Sequence, residues 1–417
     1  MRNYLCIDLK SFFASVECVE RGLDPFKVNL IVADPERGSG TIVLAVSPAM
    51  KALGVPGRCR VYEIPKNIPY IMAPPRMNLY LQKSRQVVDI YLRFVCPDDL
   101  HVYSVDECFI DTTDYLKLYH KTETEFANML RDAVFAETGI CATAGIGTNL
   151  FLAKVALDIV AKHVPDHIGV LDEERFREQL WYHRPITDIW NVGPATAKKL
   201  EHFGVYDLHG VTLLPKETLQ RAFGVNARSL INHAWGIEPC TIAQIKAYVP
   251  KSTSISNGQV LFRDYSFDEA GLILMEMVEH LTLELVRRRQ RTSSVGLTVS
   301  YSKDIAPAAG RTMKLPSPTQ SYKRLSDVFR TLYTESVRQE LPIRRLNISL
   351  GGLTGESDTQ LSLFDAPLAE AKEHSMLQAI VSLHDRYGKN SVVRGRDFEK
   401  CATLRARNEM VGGHRES

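Results

Sequence analysis

Short continuous apolar runs alternate with amphipathic repeats along most of this chain. Tyr4-Leu5-Cys6-Ile7 is such a run, the pattern of a buried strand, and it ends abruptly in Asp8. A second apolar-rich stretch, residues 102–110, is broken by Ser104, Asp106 and Glu107, residues that suit a hairpin turn. Helical spacing is expected over residues 78–94, with Leu81, Val88 and Leu92 among its apolar positions. Two further helices, 126–137 and 149–162, flank an apolar strand at 140–146. Residues 14–77 are rich in Pro and Gly turns and read as a compact insertion, and the stretch from about 166 to 238 is mostly helical. After a linker at 239–251, residues 259–353 read as strand, helix, strand, strand, helix, strand. One helix carries the stripe Leu274, Met277, Val278, Leu281 and Leu285, the other Leu325, Val328, Phe329 and Leu332, leaving the far face of the sheet free. A last amphipathic helix spans 368–387 and stops at Gly388.

Length and charge refine the pattern without redirecting it. The 417 residues suggest two to four domains, each with room for a core. A formal charge of +2 names no partner, but residues 287–350 hold thirteen Lys or Arg against four acids, a local basic excess. The eight cysteines are scattered, without a CxxC pair or zinc spacing, and read as free thiols in a reducing cytosol. There is no basic-then-apolar leader and no apolar run near the roughly 18 residues of a membrane span, so the expectation is a cytoplasmic protein with no membrane partner.

The candidate chemistry lies in the acids. Neighbours on a flat strand point to opposite faces, so Asp106 and Glu107 serve one site only at a turn or bulge. Should Asp8 join them, three carboxylates would repel one another and be costly to desolvate unless hard divalent cations neutralise them. Two metals about 3.5 to 4 Å apart could orient an in-line phosphoryl displacement. A solvated turn is the plainer reading of an Asp-Glu pair.

The surroundings of Asp8 add weight. The run CIDLKSFFASVE (residues 6–17), together with YSVDECFID (103–111), resembles the N-terminal signature of the Y-family translesion DNA polymerases, and KALGV (51–55) leans toward their UmuC-like, ImpB/MucB/SamB-type branch. The resemblance spans nearly the whole chain. It implies a multidomain α/β right-hand polymerase: palm (1–13 and 78–165), small fingers (14–77), helix-hairpin-helix thumb (166–238), and an α/β little finger (252–354). A clamp-binding peptide and tail (355–417) complete it. The resemblance implies that Asp8, Asp106, Glu107 and the backbone carbonyl of Leu9 hold two Mg2+ ions, and that Phe13 excludes a ribose 2′-hydroxyl while Phe12 stays in the core. The family's Tyr and Arg in the fingers are replaced by Pro48 and Lys51. Lys51 is therefore the expected triphosphate cation, without arginine's bidentate fork, and Ser47 the substitute hydroxyl. Lys162 resembles a second phosphate lysine, displaced by one extra residue in FLAKVALDIVAK.

DNA contacts are expected in two places. ITDIWNVGPATAKKLEHFGV (186–205) resembles a helix-hairpin-helix, with Asn191, Val192 and Gly193 at the turn and Lys198 beside it. Arg287, Arg289, Arg344 and Arg345 would join a sequence-independent phosphate track, helix capping being the plainer alternative for the 287–291 cluster. Gln360, Leu361, Leu363 and Phe364 lie in a stretch that closely resembles the bacterial sliding-clamp-binding pentapeptide, and an accessory subunit of UmuD type is a further possible partner. The functional expectation is template-directed addition of dNTPs to primer-template DNA by two-metal phosphoryl transfer, in translesion synthesis. The alternatives are a catalytically silent, clamp-docked DNA-binding protein and a two-metal nuclease. The basic stretch 389–417 has no assigned role.

Overall fold

The computed structural model describes residues 2–250, 253–356, 367–411 and 414–415. The chain divides into two compact units that meet in sequence between Tyr248 and Val249.

The first unit carries the strands β1 (Tyr4–Leu9), β2 (Leu30–Val32), β3 (Ala45–Val46), β4 (Ile71–Ala73), β5 (Leu100–Val102), β6 (Glu107–Asp111), β7 (Ala142–Gly147) and β8 (Ile168–Leu171). Five of them form one sheet in the order β5-β6-β1-β7-β8. β1 lies between two antiparallel neighbours, β6 and β7, and both faces of the sheet are covered, which is why its sequence is apolar except for Asp8. One face packs on the helices Phe12–Val19, Met77–Tyr91 and Glu123–Thr138. The other carries the helix Leu150–Val155, which continues through a π-helical turn over Ala156–Val160. That helix lies flush on the sheet because Gly145, Gly147 and Gly169 have no side chain: a Cβ at Gly145 or Gly147 would collide with the backbone of Ala153, and one at Gly169 with that of Ala156.

The small sheet β3-β2-β4 surrounds its own core of Ile31, Ala33, Val43, Val46 and Met50. In the helix Met77–Tyr91 the fully buried face is Tyr80, Val87, Ile90 and Tyr91; of the expected positions Val88 and Leu92 pack partly buried against the core and Leu81 is exposed. The expected linker 239–251 contains a helix, Ile242–Ala247, opened by a Thr241/Gln244 capping box. Its Ile242 is buried with Tyr4, Cys6 and Phe109, so the stretch up to Tyr248 belongs to the first unit.

The second unit has the expected order of elements. β9 (Ser254–Tyr265), β10 (Gln290–Tyr301), β11 (Thr312–Thr319) and β12 (Ile343–Gly351) form an antiparallel sheet in the order β11-β10-β12-β9. The helices Phe267–Arg288 and Tyr322–Ser336 cover one face, and both expected stripes face the core, with Val328 only partly buried. Alternation along β9 leaves Val260 and Phe262 exposed on the other side. The helix Pro367–Tyr387 ends at Gly388, whose φ of 88° suits glycine. The basic stretch beyond it packs on the helix Phe267–Arg288. Thr403 donates to the buried Glu276, while Arg394 and Arg396 pair with Glu279. Among the described residues no helix is long and apolar enough to cross a membrane.

Candidate active site

Antiparallel pairing of β1 with β6 sets Asp8 directly opposite Glu107. The β5–β6 turn is closed by the amides of Tyr103 and Ser104, which donate to the Glu107 carbonyl at 2.9 and 3.1 Å. Asp106 sits in that turn. Its carbonyl accepts from the Leu9 amide at 2.9 Å, and its carboxylate accepts from the Ser104 hydroxyl at 2.6 Å. The turn therefore does what a flat strand could not: it lets adjacent acids approach Asp8. Burial, then Asp106 and Glu107, push the Asp8 carboxyl up to about 7.

Asp8, Leu9, Asp106, Phe13 and Lys51 line one cavity of about 650 Å3. Glu107 does not line it. Its carboxylate accepts from Lys154 at 2.9 Å and from the Cys6 thiol at 3.1 Å, and Lys154 also pairs with Asp158 at 2.8 Å. Although burial opposes it, Asp158 and Glu107 hold the Lys154 ammonium above the usual lysine range. Among the described residues no three His, Cys, Asp or Glu side chains form a ready-made metal cage. The two acids on the cavity wall, with Glu107 directly across the strand pair, still fit hard cations: besides burial, it is the like charges a cation would neutralise that raise the Asp8 carboxyl.

Phe12 is buried and Phe13 only partly so. The Phe13 ring stacks on Tyr80 with centroids 4.5 Å apart. Tyr80 in turn donates to Glu17 at 2.6 Å, and Arg76 makes a bidentate pair with the same carboxylate. Burial pushes Glu17 up, but these donors and Arg21 hold it below the usual range. The aromatic wall is thus fixed from behind by a buried charged network.

Several expected residues fall elsewhere. Ser47 is fully buried, and its hydroxyl caps the helix Pro48–Ala52, accepting from the Met50 and Leu30 amides and donating to the Val28 carbonyl. It has no free hydroxyl for a triphosphate. Lys162 is exposed and does not line the cavity, and a π-helical turn over Ala156–Val160 precedes it. Arg58, which no sequence signal singles out, does line the cavity, at a φ of 65°.

At the second site, Asn191 has a φ of 69° and Gly193 precedes Pro194 at the start of the helix Pro194–Glu201. The element before it is only a short 3-10 turn, Ile186–Asp188. Val192 is buried and its amide already donates to Ile189, so that donor is not available to a phosphate. Lys198 is exposed. In the second unit Arg289 and Arg345 are exposed, and Arg344 lies 3.7 Å from Asp264. Arg287 departs from the expected track: Glu284 and Asp385 both pair with it. Gln360, Leu361, Leu363 and Phe364 lie outside the described residues.

Two family models match the chain. Residues 7–158 match the impB/mucB/samB family, and residues 252–363 match the impB/mucB/samB family C-terminal domain. The chain is 30% identical to "DNA polymerase IV 2" of Bacillus subtilis over 98% of its own length and 97% of the relative's. It is 29% identical to a Bacillus subtilis protein provisionally described as a UV-damage repair protein, UvrX, over 99% and 98%. It is 26% identical to "DNA polymerase IV" of Clostridium acetobutylicum over 94% and 98%.

Proposed function

Because the chain belongs to the impB/mucB/samB family, we infer that it is a Y-family, DNA-directed DNA polymerase that performs translesion synthesis. The observation that carries the catalytic reading is the shared cavity of Asp8, Asp106, Phe13 and Lys51. In this reading the β5-β6-β1-β7-β8 sheet is the palm, the β3-β2-β4 segment the fingers, residues 166–238 the thumb and the second unit's sheet the little finger. Asp8, Asp106, Glu107 and the Leu9 carbonyl would hold two magnesium ions, which supply charge neutralisation and alignment for in-line displacement. Lys154 orients Glu107 at the sheet, and the Glu17–Tyr80–Phe13 stack presents a rigid ring to the sugar of a bound nucleotide. Lys51 offers its charge to the phosphates. The exposed Lys198, Arg289 and Arg345 supply phosphate contacts to primer-template DNA.

Primer extension with magnesium on undamaged and abasic-site templates tests the reading. Extension on both supports translesion synthesis; stalling at the abasic site confines the activity to ordinary polymerisation, primer shortening indicates a nuclease, and DNA binding without product indicates a silent protein. Residues 360–364 are proposed to dock on a sliding clamp. Their removal should abolish clamp stimulation, and stimulation that survives it rejects the assignment.

A further inference from the structure

The cavity that holds Asp8 and Asp106 has two cations among its lining residues, Lys51 and Arg58. Both are exposed, and among the described residues neither pairs with a carboxylate. The Arg58 side chain also makes no hydrogen bond to another described residue. Lys162, expected to supply a second charge, is off the cavity wall.

Arg58 is also held in a conformation that arginine disfavours. Its φ of 65° lies in the left-handed region, where a Cβ crowds the backbone and glycine is the usual occupant. The chain after Arg58 fixes it there. The Val43 amide donates to the Cys59 carbonyl at 2.8 Å, Ile42 bridges Arg60, and the Cys59 side chain is buried in the small core with Met50 and Val55. Backbone strain of this kind persists only where the surroundings over-determine it, and it gathers at ligand-binding positions. A glycine would relax this turn but would bring no cation to the cavity.

We propose that Arg58 supplies the bidentate phosphate contact that Lys51 cannot make, so that a planar guanidinium fork and a point charge in the same cavity hold the incoming nucleoside triphosphate. This rests on the polymerase reading and assigns phosphate recognition to a residue of the turn after the helix Pro48–Ala52. A guanidinium presents parallel N–H donors matched to two phosphate oxygens, whereas an ammonium offers charge without that geometry. The phosphate chain is common to all four nucleotides, so the contact is indifferent to the base.

The test is equilibrium binding of each of the four dNTPs, and of inorganic tripolyphosphate as a base-free probe, to the full chain on a dideoxy-terminated primer-template. Arg58→Gly, Arg58→Lys and the control Lys66→Ala, an exposed cation off the cavity, are compared with the unaltered protein. Arg58→Gly should weaken all four dNTPs and tripolyphosphate by about tenfold, the size of one charge-assisted hydrogen bond. Its melting temperature should hold or rise, because the left-handed strain is relieved, so the loss does not come from unfolding. Arg58→Lys should remain several-fold weaker than the unaltered protein, and Lys66→Ala should match it. Unchanged affinity in Arg58→Gly, a loss confined to one base, or full recovery in Arg58→Lys would overturn the assignment. Primer extension by a protein whose nucleotide affinity ignores Arg58 leaves the polymerase reading standing and refutes the site. Tripolyphosphate binding that depends on Arg58 in a protein that never extends primers refutes the polymerase reading and keeps the anion site.

Discussion

Asp8 carries a strong electrostatic signature. Its carboxyl is pushed up to about 7 by burial and by Asp106 and Glu107, against an ordinary value of 3.8. The folded state therefore holds a proton that the unfolded chain has released, so this contribution is present below about pH 4 and is lost as pH rises through about 7. Without divalent cations, thermal melts should show stability falling across that window, and Asp8→Asn should flatten the slope. An unchanged slope would remove Asp8 as its source. Phe13→Ala should admit ribonucleotides, measured as the ratio of rNTP to dNTP incorporation, and an unchanged ratio would deny the ring its gating role. Asp8, Asp106, Glu107 and Phe13 stand out in the sequence through the resemblance carried by CIDLKSFFASVE and YSVDECFID; by themselves an acid pair reads as a turn and adjacent aromatics as core. The Lys10–His167 contact is not legible there, because the two residues are distant in sequence and only the fold brings them together. Ser47 caps a helix instead of meeting a phosphate, and Ser-Pro before a short helix is itself a capping signal.

The helix Leu150–Val155 shows how packing sets the chemistry. Lys154 reaches Glu107 only because Gly145 and Gly147 let that helix approach β7 closely. Gly145→Ala should force the helix outward, costing about 1–3 kcal/mol in chemical denaturation and reducing extension by disturbing Glu107. Native stability in that variant would mean that the backbone shifts freely. The helix is legible in the apolar pattern, but its π turn is not, since a single wider hydrogen-bonded turn leaves that pattern nearly unchanged. In the helix Met77–Tyr91, Val88 and Leu92 are legible as core-facing, whereas Tyr80 and Tyr91, amphipathic residues, take buried positions and the apolar Leu81 is exposed.

At the scale of the whole molecule, the second unit depends on residues far along the chain. Its order of strands and helices is legible from two amphipathic stripes, but the basic segment after Gly388 carries no apolar repeat to mark it as structural. Its role rests on polar pairs: Glu276 and Glu279 are buried on the helix Phe267–Arg288 and are satisfied by Thr403, Arg394 and Arg396. Truncation after Gly388 should leave those carboxylates unpaired and destabilise the unit by about 3 kcal/mol or more, read as an early transition in urea unfolding. An unaltered transition would show that the segment is dispensable.

The proposed catalysis rests on Asp106, an acid of the cavity wall that the primer terminus and nucleotide would share. Single-turnover primer extension in magnesium, comparing the unaltered protein with Asp106→Asn at matched DNA occupancy, examines it most directly. The variant should bind primer-template normally and lose nucleotide addition almost entirely; extension near the unaltered rate would contradict the assignment.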